Sequence, residues 1–139
     1  MKYFLLAFFM SAAALPGPWA HSDEGRWDSG RQLSAQELEK NAVALNGAIK
    51  QDPANVELYI RLGFTYAKLE KADEAQTAFE NAVRLDPKRA IAHYMLGLIY
   101  EKKGLKEKAI ASWTACLENA AEPRLRETAL KHLHHLRMN

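Results

Sequence analysis

Two neighbouring stretches of equal length decide the fold of this chain. Residues 56–89 read VELYIRLGFTYAKLEKADEAQTAFENAVRLDPKR, and residues 90–123 read AIAHYMLGLIYEKKGLKEKAIASWTACLENAAEP. Aligned at a spacing of 34 residues, they are identical at Leu62 and Leu96, Gly63 and Gly97, Tyr66 and Tyr100, Lys68 and Lys102, and Ala75 and Ala109. Such a repeat predicts a supersecondary unit that buries its apolar face by stacking on the next unit.

Within each stretch the apolar residues follow the period of an α-helix. Leucine and tyrosine recur every three or four residues from Leu58 to Leu69, and a second apolar series follows a polar break. Each stretch is therefore predicted to be a hairpin of two helices. A glycine stands inside the first helix of both hairpins, where it costs about 1 kcal/mol relative to alanine. We expect the partner helix to approach closely there, with Phe79 and Trp113 as the large packing residues.

The aligned stretches resemble the tetratricopeptide repeat, a family of helix-turn-helix units of about 34 residues. The residues that carry the resemblance are Tyr59, Leu62, Gly63, Tyr66, Ala75, Phe79, Ala82 and Pro87. The second stretch departs from the family pattern at His93, at Cys116 and at Pro123, which comes two residues late. We expect His93 to pack inward in place of the usual aromatic residue. The resemblance implies an all-α fold, a right-handed α-solenoid of antiparallel helix hairpins.

Weaker patterns extend the organisation on both sides of the two repeats. We predict a signal peptide, a flexible leader, a half-repeat, two repeats and a capping helix at residues 1–20, 21–33, 34–55, 56–89, 90–123 and 124–137, the last four within a domain over 34–139. The six expected helices span 34–51, 55–70, 73–85, 89–103, 106–119 and 124–137. Ser34 and Glu37 have the spacing of a capping box, which places the start of the folded domain there.

The N-terminal segment differs in composition from the rest of the chain. Lys2 precedes an apolar run over residues 3–15, and a Pro-Gly-Pro sequence follows at residues 16–18. This order is typical of a secretory signal peptide, and the run is shorter than the roughly 20 residues of a bilayer-spanning helix. We expect export to the periplasm or the medium, cleavage after Ala20 and no permanent membrane anchor. A retained N-terminal anchor is the alternative.

Composition narrows the range of functions. The 139 residues carry a formal net charge of +2, so a nucleic-acid partner is not expected. The lone Cys116 permits no intramolecular disulfide, and because it aligns with Ala82 we expect it to be a small buried residue. The sequence contains no Gly-rich phosphate loop and no His-Glu-x-x-His motif. An enzyme and a cofactor are therefore not predicted.

The resemblance also indicates where a partner would bind, because the first helices of such hairpins line a concave face. The residues that the packing pattern leaves over on these helices, which we call the predicted binding face, are Glu57, Ile60, Arg61, Phe64, Lys68, Ile91, Tyr94, Met95, Leu98, Glu101 and Lys102. Five of them, Ile60, Phe64, Tyr94, Met95 and Leu98, are too apolar for a solvated face and would form a protein-binding patch if exposed. Coverage by the leader, by the C-terminal helix or by a second copy is the alternative.

The chemistry of this face selects among peptide ligands. Some members of the family grip a terminal carboxylate with lysine and asparagine side chains, but Ile60, Phe64 and Met95 stand where polar groups would be needed. We therefore predict a scaffold or adaptor that binds an amphipathic helix or an extended apolar segment, framed by the cations of the face. Comparable small exported repeat proteins assist the assembly of envelope complexes, which is the role that the resemblance implies.

Two other classes of function stay open. The chain could assemble with itself through the helix at 34–51 or through the predicted binding face. A metal-carrying protein is the second alternative, because His132 and His135 lie one helical turn apart with His134 between them, and His21 would become the N-terminal residue after cleavage. For the C-terminal histidines we expect a basic, solvated helix rather than a metal site.

Overall fold

The computed structural model describes residues 33–138, and this part of the chain contains six α-helices and no strand. The helices are α1 (Ala35–Gln51), α2 (Val56–Lys68), α3 (Ala72–Leu85), α4 (Ala90–Lys102), α5 (Lys106–Asn119) and α6 (Pro123–Met138). Each end lies within two residues of its predicted position, and the all-α prediction is confirmed. The predicted signal peptide and all but the last residue of the predicted leader lie outside the described residues.

The capping box predicted at the start of α1 is present. The backbone N–H of Ser34 donates to Glu37 Oε2 at 2.8 Å, and the backbone N–H of Glu37 donates to Ser34 Oγ at 3.3 Å. Hydrogen bonds from the backbone and then from the side chain of Ser34 to the Glu37 carboxyl lower its pKa, because they favour its charged form. The capping box thereby satisfies two backbone N–H groups at the start of α1.

Each helix packs chiefly against its neighbours in sequence, and the most extensive contacts join α2 to α3 and α4 to α5. Both hairpins are closed by a glycine against a buried ring. A Cβ atom added to Gly63 would lie 2.6 Å from Phe79 Cζ, and one added to Gly97 would lie 2.6 Å from Trp113 Cε2. Phe79 and Trp113 have no exposed surface. The predicted close approach is confirmed, and it explains why helix-weakening glycines stand at these positions.

His93 departs from the family pattern, but it keeps a hydrogen bond that the equivalent tyrosine makes in the first repeat. In the first repeat Tyr59 donates its hydroxyl hydrogen to the carbonyl oxygen of Pro53 at 2.9 Å. In the second repeat His93 Nε2 lies 2.6 Å from the carbonyl oxygen of Pro87, and since a carbonyl only accepts, the imidazole is the donor. His93 is half-buried and replaces the tyrosine in packing and in hydrogen bonding.

Polar contacts between repeats also recur at equivalent positions. The side-chain amide of Asn46 on α1 donates to the hydroxyl of Tyr66 on α2 at 3.1 Å. One repeat further on, the hydroxyl of Tyr100 donates to Glu80 Oε1 at 2.7 Å. Each tyrosine therefore ties the first helix of its hairpin to the helix that precedes the hairpin.

The stack ends in α6, which buries Ala129 and Leu133. Arg126 on α6 donates through Nη1 to the carbonyl oxygen of Leu117 at 2.8 Å and to that of Ala120 at 3.4 Å. These carbonyls belong to the C-terminal end of α5, where a cation is favoured by the helix dipole. Between residues 33 and 138, no helix has both the length and the apolar character that crossing a bilayer requires.

Candidate binding face

The eleven residues of the predicted binding face lie on α2 and α4, the first helices of the two hairpins, and their exposure differs. The exposed residues are Glu57, Arg61, Lys68 and Lys102. The half-buried residues are Phe64, Ile91, Tyr94, Leu98 and Glu101. The buried residues are Ile60 and Met95. Nine of the eleven therefore reach the surface to some degree, and two do not.

The expectation that Ile60 and Met95 belong to an exposed apolar patch is wrong. Their exposed fractions are 4% and 8%. Ile60 lies three residues before the buried Gly63, and Met95 lies four residues before the buried Ile99, so both share a helical face with the core. These two side chains stabilise the stack and leave the remaining apolar residues of the face as candidate contacts.

The two aromatic residues of the predicted binding face are fixed by the buried ring of their own hairpin. The rings of Phe64 and Phe79 meet edge to face, with centroids 5.3 Å apart and an interplanar angle of 85°. The rings of Tyr94 and Trp113 have the same arrangement, at 5.3 Å and 89°. Such pairs contribute about 0.5–1.5 kcal/mol beyond the area they bury. Phe64 and Tyr94 are thus preorganised, and a ligand would not have to order them.

Both carboxylates of the predicted binding face are engaged by groups from a later part of the fold. Glu57 pairs with the guanidinium of Arg89, which precedes α4. Glu101 Oε2 lies 2.7 Å from His132 Nδ1 on α6. The cationic side chains of the face are exposed to solvent, and its two acids are partnered within the fold. The half-buried residues of the face are thus mostly apolar, and its exposed residues include three cations.

The sequence pattern did not predict the packing of His132. Its ring stacks on the ring of Trp113, with centroids 4.2 Å apart and an interplanar angle of 16°. The expectation of a fully solvated histidine face is wrong for His132, although His134 and His135 are exposed. A signal was available, because His132 lies three residues after the buried Ala129 and so at the edge of the apolar stripe of α6.

The other candidate residues from the sequence are the lone cysteine and the histidines. Cys116 has no exposed surface, and burial raises the pKa of its thiol to about 11, so it is a neutral packing residue as its alignment with Ala82 predicts. Across residues 33–138, histidine, cysteine, aspartate and glutamate side chains form no group of three or more suited to holding a metal ion. His21 lies outside the described residues.

Comparison with known proteins found a matching family model and several curated relatives. Residues 60–122 match a family model described as Tetratricopeptide repeat. The chain is 27% identical over 99 residues to the peroxisomal targeting signal receptor of Komagataella phaffii, an alignment that covers 70% of this chain and 17% of that protein. It is 33% identical over 67 residues to the Saccharomyces cerevisiae receptor of the same name, covering 48% and 11%. The chain thus spans less than a fifth of the length of these curated relatives.

Solved structures resemble the described helices over most of the chain. PcrH in complex with the chaperone binding region of PopD has a TM-score of 0.67 at 14% identity, covering 75% of this chain and 81% of that one. The Arabidopsis OM64 TPR domain has a TM-score of 0.64 at 21% identity, covering 72% and 83%. At these identities the likeness concerns the fold, a stack of helix hairpins. With two such hairpins in a 34-residue register, residues 60–122 of this chain are similar to the tetratricopeptide repeat family, whose model they match.

Proposed function

We propose that this chain is a scaffold or adaptor that binds a segment of another protein along the predicted binding face. The observation that carries the proposal is the placement of Phe64 and Tyr94, which are half-buried and fixed by edge-to-face contacts with Phe79 and Trp113. Rigid aromatic side chains at a surface lower the ordering cost of association and are frequent anchors of binding energy. The mechanism is equilibrium binding, and no chemical step is involved.

The expected partner segment is apolar and carries acidic residues. Leu98 and Ile91 extend the half-buried apolar surface, while Arg61 stands exposed among the cations that border it. Because the two acids of the face are partnered within the fold, an acidic side chain of the ligand would meet mostly positive charge. An amphipathic helix or an extended segment with alternating apolar and acidic residues suits this surface.

The names of related proteins agree with binding of a protein segment. The solved PcrH structure contains a chaperone binding region of PopD, and the curated relatives are named receptors of a targeting signal. Each name describes that protein alone. It supports the inference that the repeat fold of this chain also serves to hold a segment of a partner.

The proposal is tested by the affinity of peptides selected against the full chain from a random peptide library. Arg61→Glu reverses an exposed charge on the predicted binding face, and Arg84→Glu reverses an exposed charge on α3 as a matched control. We expect the selected peptides to be apolar and acidic, and we expect Arg61→Glu to weaken binding about tenfold or more while Arg84→Glu changes it little. Equal weakening by both variants would contradict the proposal.

Self-association is the competing use of the same surface. Light scattering over a range of protein concentrations, with and without a selected peptide, separates the two. A mass that stays that of one chain supports a face that is open to partners. A concentration-dependent mass that the peptide reverses assigns the face to a second copy of the chain, and the adaptor proposal then fails.

We also propose that the chain is exported and helps to assemble a complex of the cell envelope. Lys2, the apolar run over residues 3–15 and the small residue Ala20 support export, and the family resemblance supports the assembly role. The measurement is the N-terminal residue of the mature protein. His21 at the N-terminus is the expected result, and an intact Met1 on protein recovered from the cytoplasm would contradict export.

A further inference from the structure

A single side chain of the last helix contacts both of the helices that form the second hairpin. His132 on α6 places its Nδ1 2.7 Å from Glu101 Oε2 on α4, and it stacks its ring on Trp113 of α5 at 4.2 Å. The side chain of His132 is 31% exposed and that of Glu101 is 19% exposed. Of the exposed histidines on the same helix, His134 takes part in neither of these two contacts.

The same contacts lead back to the predicted binding face. The ring of Trp113 contacts the ring of Tyr94 edge to face and stacks on the ring of His132. Tyr94 and Glu101 both belong to the face, so a closed chain of contacts runs from Tyr94 through Trp113 and His132 to Glu101. Glu101 therefore contacts α6 directly, and Tyr94 is connected to α6 through Trp113, although α6 contributes no residue to the predicted binding face.

The predicted binding face would differ in shape and in charge between a state with α6 docked and a state with α6 undocked. With α6 docked, Trp113 has no exposed surface and the Glu101 carboxylate is partnered. Without α6, the Trp113 ring that supports Tyr94 would lose the stacked His132 ring, and the Glu101 carboxylate would lose its His132 partner. A ligand that distinguishes these two surfaces binds one state better and shifts the equilibrium of α6.

We propose that His132 is a positioning residue of the predicted binding face, and that docking of α6 through His132 sets the charge and the shape of that face. The term binding face rests on the function proposed above, but the coupling between α4 and α6 does not. By linkage, a change made on the face must alter α6 as much as a change in α6 alters the face. The coupling can therefore be measured without any ligand.

The test is hydrogen exchange of backbone amides in the full chain. Glu101→Ala removes the partner of His132, and Glu57→Ala is the matched control because it removes the other carboxylate of the face, which pairs with Arg89. We expect Glu101→Ala to speed exchange across α6 by roughly fivefold or more, with α2 unaffected, because coupling energies of this kind correspond to factors of about 5 to 150. We expect Glu57→Ala to leave α6 unchanged.

The reverse direction uses three variants of α6. His132→Ala is expected to speed exchange in the last turn of α4, and His132→Phe, which keeps an aromatic ring on Trp113, is expected to restore most of the protection. His134→Ala is the control on an exposed neighbour. Unchanged exchange of α6 in Glu101→Ala, or equal acceleration of every helix in that variant, would overturn the proposal. A peptide-binding failure with these results intact would overturn only the proposed function.

Discussion

Both repeats close their hairpin with a glycine packed against a buried ring, but the residues that contact this ring differ between the repeats. In the first repeat Phe79 lies under Gly63 and its ring meets that of Phe64, so both of these contacts stay within one hairpin. In the second repeat Trp113 lies under Gly97 and meets Tyr94 in the same way, and it also stacks on His132 of the following helix. The larger buried ring of the second repeat therefore has a contact outside its own hairpin.

The larger ring also brings a polar atom into the core. The indole Nε1 of Trp113 is buried and has no hydrogen-bond partner within the part of the chain that the structure describes. An unsatisfied buried donor costs about 1–3 kcal/mol, whereas Phe79 carries no such atom. The gain in buried area at Trp113 is thus partly offset, and the contacts with α6 become more important to the second repeat than to the first.

Truncation of the two rings is expected to give the largest effects. Phe79→Ala and Trp113→Ala should each lower the free energy of unfolding by about 3–5 kcal/mol, because both leave a cavity in a fully buried site. Urea denaturation followed by circular dichroism measures both. Hydrogen exchange should show loss of protection in α6 for Trp113→Ala and retained protection there for Phe79→Ala. Equal loss in α6 for both variants would erase the difference between the repeats.

Addition of a methyl group at the seam is the next effect in size. Gly63→Ala and Gly97→Ala would each place a Cβ 2.6 Å from a buried ring atom, and overpacking of this kind costs about 1–3 kcal/mol. Gly47→Ala on α1 is the control, because nothing lies within 4 Å of its added Cβ. It should raise stability by up to about 1 kcal/mol through helix propensity. A gain at all three glycines in thermal unfolding would refute the close approach.

Removal of the tyrosine hydroxyl groups that join neighbouring helices should lower stability by a smaller amount, and this amount should differ between the two repeats. Tyr100→Phe removes a hydrogen bond to the Glu80 carboxylate and should cost about 1.5–3 kcal/mol, while Tyr66→Phe removes a neutral contact with Asn46 and should cost about 0.5–1.5 kcal/mol. Urea denaturation of the two variants at neutral pH measures both costs. A larger cost for Tyr66→Phe would contradict the assignment.

Alkaline titration adds a second readout for Tyr100. Burial, and then the hydrogen bond to Glu80, raise the pKa of Tyr100 well above its ordinary value. The folded state therefore holds the phenol proton more tightly than the unfolded state does. This contribution is fully present below the unfolded pKa of about 10 and is lost as the pH rises through the higher folded pKa. Tyr100→Phe should flatten that part of the stability curve, which urea denaturation at a series of alkaline pH values measures.

The smallest expected effect lies in the two hairpin turns. Glu70 has φ 59° and Gly104, at the equivalent position, has φ 72°. An L-residue in the left-handed region is strained, so Gly104→Ala should cost about 1 kcal/mol, and Glu70→Gly should cost nothing or raise stability by about 0.5 kcal/mol. Thermal unfolding of both variants measures the difference. A loss in Glu70→Gly as large as that in Gly104→Ala would show that the turns differ for another reason.

The repeat pattern predicted the helices, the glycine-ring seam and the burial of Cys116, because these follow from period and register alone. It did not predict that Ile60 and Met95 are buried, because a helical period assigns a face but not the neighbour that covers it. The pair of Glu101 with His132 also escaped prediction. The two residues stand 31 positions apart, outside the 34-residue register that guided the alignment.

The most direct test of the central claim is to map where a bound segment lies. A selected peptide carrying a photoreactive benzophenone would be cross-linked to the full chain, and the modified residues would be identified by mass spectrometry. We expect adducts on α2 and α4, near Phe64, Tyr94 and Leu98. Adducts confined to α1, α3 or the outer side of α6 would contradict the claim that the first helices of the hairpins hold the partner.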